Sequence, residues 1–320
     1  MKKLVTLSNP KQLAEKKIKK KMANFIDYNK ELNFEYGVTQ RLSPLVRRVI
    51  APNPSAFTLH GTGTYIVGND SVAIIDPGPE LPEHTQAILN AVKGEKITHV
   101  LVTHTHLDHS PGTVHIKAAS GALSYAYGPH ARNIKKGEIE EGADFDFAPD
   151  KQLIDGEVIK GSNWTIESIH TPGHTSNHMC FALKEENALF PGDHVMGWST
   201  TIVSPPDGDM SAYMTSLDKL NHRQESIYYP THGAPITNPK PYVKSLLAHR
   251  YEREDEIMVC LKDGVDNIPD IVEKIYAKID SNLHKAAARS VLSHLIHMIQ
   301  TGQVKCEGIP TPNNKYTAVN

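Results

Sequence analysis

Residues 103–109 read THTHLDH, three histidines and an aspartate within seven positions. His104 and His106 alternate on what reads as an extended segment, so their rings project to the same side. Asp108 and His109 follow where the chain is expected to turn toward a helix, and they face a second point nearby. Neutral imidazoles and a carboxylate suit a borderline cation such as zinc, at about 2.0–2.2 Å, better than magnesium or calcium. Three imidazoles crowded together without a cation would leave polar groups unpaired. Two ions would need further ligands from elsewhere in the chain. His174 in HTPGHTSNH, Asp193 in FPGDH and His232 in YPTHG are available, although a single histidine beside a glycine is ordinarily a loop residue.

The elements that must position these groups read as strands. RRVIAPNP, FTLHGTGTYIVG and SVAIIDPGP are short β-branched segments divided by Gly and Pro, as hairpins require. A helix is expected from His84 to Val92, and ITHVLVTH is a continuous apolar run typical of a buried strand. WTIESIHTPGH, HMCFALKEENALFPGD and SIYYPTHG repeat one device, a strand that ends in a loop bearing His or Asp. A rigid sheet that delivers polar residues at its edge is a common way to build a site.

The two ends differ from this middle. AEKKIKKKMANFIDYNKEL is lysine-rich, with Leu13, Ile18, Met22, Phe25 and Ile26 at helical spacing, which predicts a helical arm over residues 1–43. Such an arm would pack on the main domain or on a partner chain, giving a route to a homo-oligomer. After Pro241 helices replace strands. SLLAHRYEREDEIMVCL predicts a helix whose apolar face carries Leu247, Tyr251, Met258 and Leu261, and IPDIVEKIYAKI and RSVLSHLIHMIQTG predict two more. Gly302 is placed to end the last of them, before a segment TGQVKCEG that could form a wing.

Composition removes several function classes. With 34 basic and 36 acidic residues the net charge is −2, so no global positive field draws nucleic acid. Cys180, Cys260 and Cys306 form neither a disulfide framework nor a CxxC pair. No apolar run of about 18 residues suggests a membrane span. A cytoplasmic enzyme is the expectation.

HTHLDH followed in order by GHT, PGDH and THG resembles the metallo-β-lactamase fold superfamily. NPSAFTLHGTGTYIVG, IIDPGP, HTPGHTSNHMCF, AHRYEREDEI and VLSHLIHMIQTGQV extend the resemblance to the β-lactamase-like-protein-2 branch, over roughly residues 44–310. The resemblance implies an α+β fold: an αββα sandwich over residues 44–240 and a winged-helix-like domain over 241–320. It also implies two zinc ions, one held by His104, His106 and His174 and the other by Asp108, His109 and His232, with Asp193 bridging. Asp76, in IIDPGP, and His178 would orient those ligands; His194 is expected to be a plain loop residue.

Hydrolysis by a metal-bridging hydroxide, with Asp108 orienting it, is the implied chemistry. Fold alone does not choose a substrate. The branch resemblance places single-stranded RNA first, as for an endoribonuclease, with Arg250, Arg253, Lys285, Arg289 and the arm's lysines as phosphate contacts. Thioesters of the hydroxyacylglutathione or acyl-carrier type come second. A β-lactam or a non-catalytic zinc scaffold comes after both.

Overall fold

The structure, a computed structural model, describes residues 26–131, 142–277, 280 and 283–319. Strands β1 (Gln40–Arg41), β2 (Val46–Ile50), β3 (Gly63–Val67), β4 (Ser71–Ile75), β5 (Lys96–Leu101), β6 (Leu123–Ala126) and β7 (Lys151–Gln152) form one sheet in that order. It is antiparallel through β4 and parallel from β4 to β7. The second sheet runs β12–β11–β10–β9–β8, made of β8 (Val158–Lys160), β9 (Thr165–His170), β10 (Met179–Leu183), β11 (Ala188–Phe190) and β12 (Ile227–Tyr228).

Period-two alternation explains how the sheets stack. In β10, Met179, Phe181 and Leu183 enter the core between the sheets with Tyr65, Ile75, Leu101 and Phe190, while Cys180 and Ala182 face the opposite way. Every residue of β10 is therefore buried. In β4, Ala73 and Ile75 point inward, and Val72 and Ile74 point out toward Ile88 and Ile116. Those two belong to helices α1 (Pro82–Ala91) and α2 (Thr113–Ser120), which cover the first sheet. Helix α3 (Met210–Asn221) and the start of α4 (Pro239–Lys262) cover the second, through Tyr213, Leu217, Val243 and Leu246. The four layers are helix, sheet, sheet and helix, the expected αββα sandwich.

The later half of α4 joins α5 (Ile268–Ile275), α6 (His284–Gln300) and the hairpin β13 (Val304–Cys306)–β14 (Tyr316–Ala318) around a separate apolar cluster. Gly302, at φ 75°, takes the left-handed step after α6 and lets the chain enter the wing. The winged-helix form expected of this region is present.

Two expectations are corrected. The buried stripe of α4 is Val243, Leu246, Arg250, Glu254, Ile257 and Leu261, whereas Tyr251 is 54% exposed. The stripe includes two charged residues because long-range partners satisfy them, which an apolar pattern cannot reveal. The helical arm is the other. Residues 1–25 lie outside the described residues, and residues 26–36 carry no helix. There the backbone bonds to the sandwich at two points: Asn29 N–H donates to Gly197 O at 2.9 Å, and Lys30 O lies 2.8 Å from His60 Nε2. Ile26 is buried against the α3–α4 face.

Candidate metal centre

Every sequence-selected group sits just beyond a strand or in the turn that follows one. Asp76 follows β4, the HxHxDH segment follows β5, His174 and His178 lie between β9 and β10, Asp193 follows β11, and His232 follows β12. The strand ends of both sheets thus converge on one edge of the sandwich.

His104 Nε2 lies 3.0 Å from His106 Nδ1, and His174 Nε2 lies 3.1 Å from the same nitrogen. Tetrahedral ligands at about 2.0–2.1 Å from zinc are separated by about 3.3 Å, so these three nitrogens suit a single ion. A few ångströms away His232 Nε2 lies 3.2 Å from Asp108 Oδ2 and 3.4 Å from Asp193 Oδ2. His109 Nε2 lies 3.3 and 3.6 Å from the same two oxygens. The same Asp193 oxygen is 4.0 Å from His174 Nε2, between the two groups. The donor atoms of His104, His106 and His174, of Asp108, His109 and His232, and of His104, His109 and Asp193 each fall within 4.8 Å of one another.

Acceptors behind the rings set their tautomers. His174 Nδ1–H donates to Ile202 O at 2.7 Å, His232 Nδ1–H to Gly61 O at 3.1 Å, and His109 Nδ1–H to Asp76 Oδ2 at 2.9 Å. In each case Nε2 is left facing the cluster as a lone-pair donor. Asp76 also accepts from Thr103 N–H and from the hydroxyls of Thr103 and Thr231. His178 Nε2 accepts from Asp193 N–H at 3.3 Å, and its Nδ1 lies 2.9 Å from Thr171 Oγ1. Two glycines permit this crowding. A Cβ on Gly192, at φ 52°, would meet His178 Nε2 at 2.7 Å, and one on Gly173, at φ 142°, would meet Tyr213 Cα at 2.3 Å.

The donor set fits a pair of divalent cations. His109 Nε2 and Asp193 Oδ1 are buried without a hydrogen-bond partner although they line the cluster. Burial and the neighbouring imidazoles hold His104 well below its ordinary pKa, so the ring is held neutral, the form a cation would need. Burial alone would raise Asp108 and Asp193, but His109 and His232 outweigh it and hold both carboxyls well below the usual range. Burial would likewise lower His109 and His232, yet the carboxylates win, taking His109 well up and His232 to about 10. Without a cation the carboxylates thus favour the protonated form of both rings, whose Nε2 becomes a lone-pair donor once that proton leaves. Zinc loading at pH 7 is expected to displace about two protons, one from each ring. Calorimetry in buffers of different ionisation enthalpy reads that number, and affinity should weaken as the pH falls. Loading without proton release would contradict this charge pattern.

The neighbouring cavity, of about 230 Å³, is lined by Asn53, Ser55, Phe57, Thr58 and Leu107 together with Asp108, Asp193 and His232. Two larger cavities, of about 460 and 400 Å³, lie away from these ligand atoms. Thr62 Oγ1–H, fully buried, donates to Asp108 Oδ2 at 3.2 Å.

Several contributors escape a ligand-by-ligand reading. Thr103, Thr105 and Thr231 each precede a histidine of the cluster, a signal visible in THTH and PTH. The first and last bond to Asp76, and Thr105 Oγ1 lies 2.8 Å from His130 Nδ1. His194 is fully buried, and neither ring nitrogen has a hydrogen-bond partner.

With this geometry established, comparison with known proteins is decisive. Residues 58–232 match the model of the metallo-beta-lactamase superfamily, and residues 268–310 match the beta-lactamase associated winged helix domain. The chain belongs to the metallo-beta-lactamase superfamily. It is a hydrolase of that superfamily with an appended winged helix. An atrochrysone carboxyl ACP thioesterase from Aspergillus chevalieri is 32% identical over 269 residues, 80% of this chain and 81% of that protein. One from Aspergillus terreus is 35% identical over 239 residues, 73% of this chain and 69% of that protein. Among solved structures, a beta-lactamase domain protein from Burkholderia ambifaria superposes with a TM-score of 0.75 over 93% of this chain and 98% of that one. At 18% identity it shares the superfamily fold and speaks to nothing further. Among the described residues, no helix of this superfamily member is long and apolar enough to cross a membrane.

Proposed function

We propose that this hydrolase cleaves thioesters, with an acyl group carried on an acyl carrier protein as its substrate. Two zinc ions would be held by His104, His106 and His174 and by Asp108, His109 and His232, with Asp193 between them. The observation that carries the substrate reading is the similarity to proteins named as ACP thioesterases, across 80% of this chain. It reverses the order expected from sequence, in which single-stranded RNA came first.

The groups at the cavity favour the same order. Bound zinc would lower the pKa of a water and polarise the scissile carbonyl. Asp108, oriented by the Thr62 hydroxyl, faces the cavity with a carboxylate that can accept a proton from the attacking water. Asp108 and Asp193 are both held ionised at rest, so the proton available to a leaving group is the one taken from that water. A thiol of pKa about 8.5 departs as a thiolate without one, whereas the alkoxide released from a phosphodiester needs protonation. Phe57 and Leu107 give the acyl group an apolar wall.

Of the basic residues expected to hold phosphates, Lys285 is exposed, while two others are engaged within the fold. Arg250 is 3% exposed and turned inward, and Arg253 pairs with Glu256 and stacks on Tyr276. The arm lysines Lys16, Lys17, Lys19, Lys20 and Lys21 lie outside the described residues.

The test offers zinc-loaded protein an acyl-carrier thioester and an unstructured RNA oligonucleotide in parallel, with His106→Ala prepared identically. Thiol release by the wild type alone, with the RNA left intact, is the expected result. RNA cleavage by the wild type with no thiol release would reverse the substrate order again.

A further inference from the structure

Arg250 lies on α4, outside the superfamily core, yet it reaches the turn that backs the metal centre. Its Nη2 donates to Thr201 O at 2.6 Å, and its guanidinium carbon lies 4.9 Å from the centre of the Tyr213 ring. The Thr201 hydroxyl in turn donates to Asp193 O at 2.7 Å. The next carbonyl along the chain, Ile202 O, is the one that accepts from His174 Nδ1. Tyr213, beneath the guanidinium, donates its hydroxyl to His194 O at 3.0 Å. One side chain of the C-terminal region thus holds a turn that touches two cluster residues delivered by different strands.

Helix α4 is itself fixed at the following turn. Glu254 Oε1 accepts from His297 Nδ1 at 2.6 Å and from His294 Nδ1 at 3.2 Å, both on α6. A buried guanidinium is costly unless specific partners compensate it, and packing alone would be served by an apolar residue. Here Nε is buried without a hydrogen-bond partner, so the compensation comes from the Thr201 carbonyl on Nη2 and the Tyr213 ring beneath.

We propose that Arg250 is a positioning residue of the metal centre. By fixing the Thr201–Ile202 turn it sets the tautomer and direction of His174 and the backbone of Asp193. The winged-helix region is then a support of the ligand set as well as a neighbour of it. This rests on reading His174 and Asp193 as ligands.

The test measures zinc affinity by chelator competition on the full chain for wild type, Arg250→Met and Arg250→Lys, beside cobalt(II) absorption and thermal melting. In Arg250→Met the ion on the His104–His106–His174 side should bind about tenfold more weakly, the scale for losing a contact behind a ligand. The other ion, which shares Asp193 but not His174, should weaken distinctly less, and the cobalt bands should change. Arg250→Lys, which keeps a donor, should recover part of the loss. Unchanged affinities and bands in a folded Arg250→Met would overturn the proposal, as would both ions weakening in step with a lowered melting temperature. If Arg250→Met does not fold, Thr201→Val decides, because it keeps the arginine and removes the hydroxyl that holds Asp193. About tenfold weaker zinc there supports the proposal, and wild-type affinity overturns it. A wild type that takes up no ion refutes the ligand reading itself, an outcome distinct from two tightly bound ions indifferent to Arg250.

Discussion

Asp193→Ala is expected to lower thioester hydrolysis by about a thousandfold or more and to weaken both ions together. Its Oδ2 lies 3.4 Å from His232 Nε2, 3.6 Å from His109 Nε2 and 4.0 Å from His174 Nε2, so among the described residues it is the one carboxylate that reaches both groups of rings. Metal polarisation is worth several kcal/mol of transition-state stabilisation, and about 4 kcal/mol corresponds to roughly a thousandfold in rate. His232→Ala removes a ring that faces only the Asp108 side, so it should lose activity while releasing mainly one ion. Elemental analysis beside initial rates separates the two variants. Equal and full metal retention in both would overturn the assignment of Asp193 between the ions.

The second large effect falls on stability. Asp76 accepts from Thr103 N–H, Thr103 Oγ1–H, His109 Nδ1–H and Thr231 Oγ1–H, all buried. Alanine there would strand the amide and the ring nitrogen, which cannot turn to water, at about 1–3 kcal/mol each. The backbone adds to this, because Asp76 sits at φ 50°, where alanine is disfavoured by about 1–2 kcal/mol. Denaturant unfolding of the metal-free protein should therefore show Asp76→Ala destabilised by about 3–5 kcal/mol. Asp76→Asn, which keeps the shape and one acceptor oxygen, should lie between that variant and wild type. A loss below about 1 kcal/mol in Asp76→Ala would mean that another group satisfies those donors.

Much of this centre was legible because its chemistry is local. His104, His106, Asp108 and His109 are neighbours in sequence, and crowded imidazoles have few explanations other than a cation. His174, Asp193 and His232 were legible because short strand-like apolar runs ended in the loops that carry them, and the wing because Gly302 separated α6 from a short polar–apolar strand. What stayed hidden depends on contacts distant in sequence. Arg250 was expected among the phosphate contacts, yet it is buried on Thr201 O, and Glu254 one turn on is buried against His294 and His297. The helical spacing rested on Leu13, Ile18, Met22, Phe25 and Ile26, of which only Ile26 is among the described residues, and beyond it the backbone of Asn29 and Lys30 bonds to the sandwich. Substrate order could not be read from the ligands, since one ligand set serves a phosphodiester and a thioester alike.

The central claim is that this cluster, loaded with metal, hydrolyses a thioester. Its most direct test is a zinc titration of metal-stripped protein, read as thiol release from an acyl-carrier thioester. Activity should rise from near zero and level off at about two equivalents per chain, as for a two-metal site, while His106→Ala stays flat. Thiol release by the stripped protein that zinc does not increase, or a His106→Ala curve matching wild type, would contradict the account.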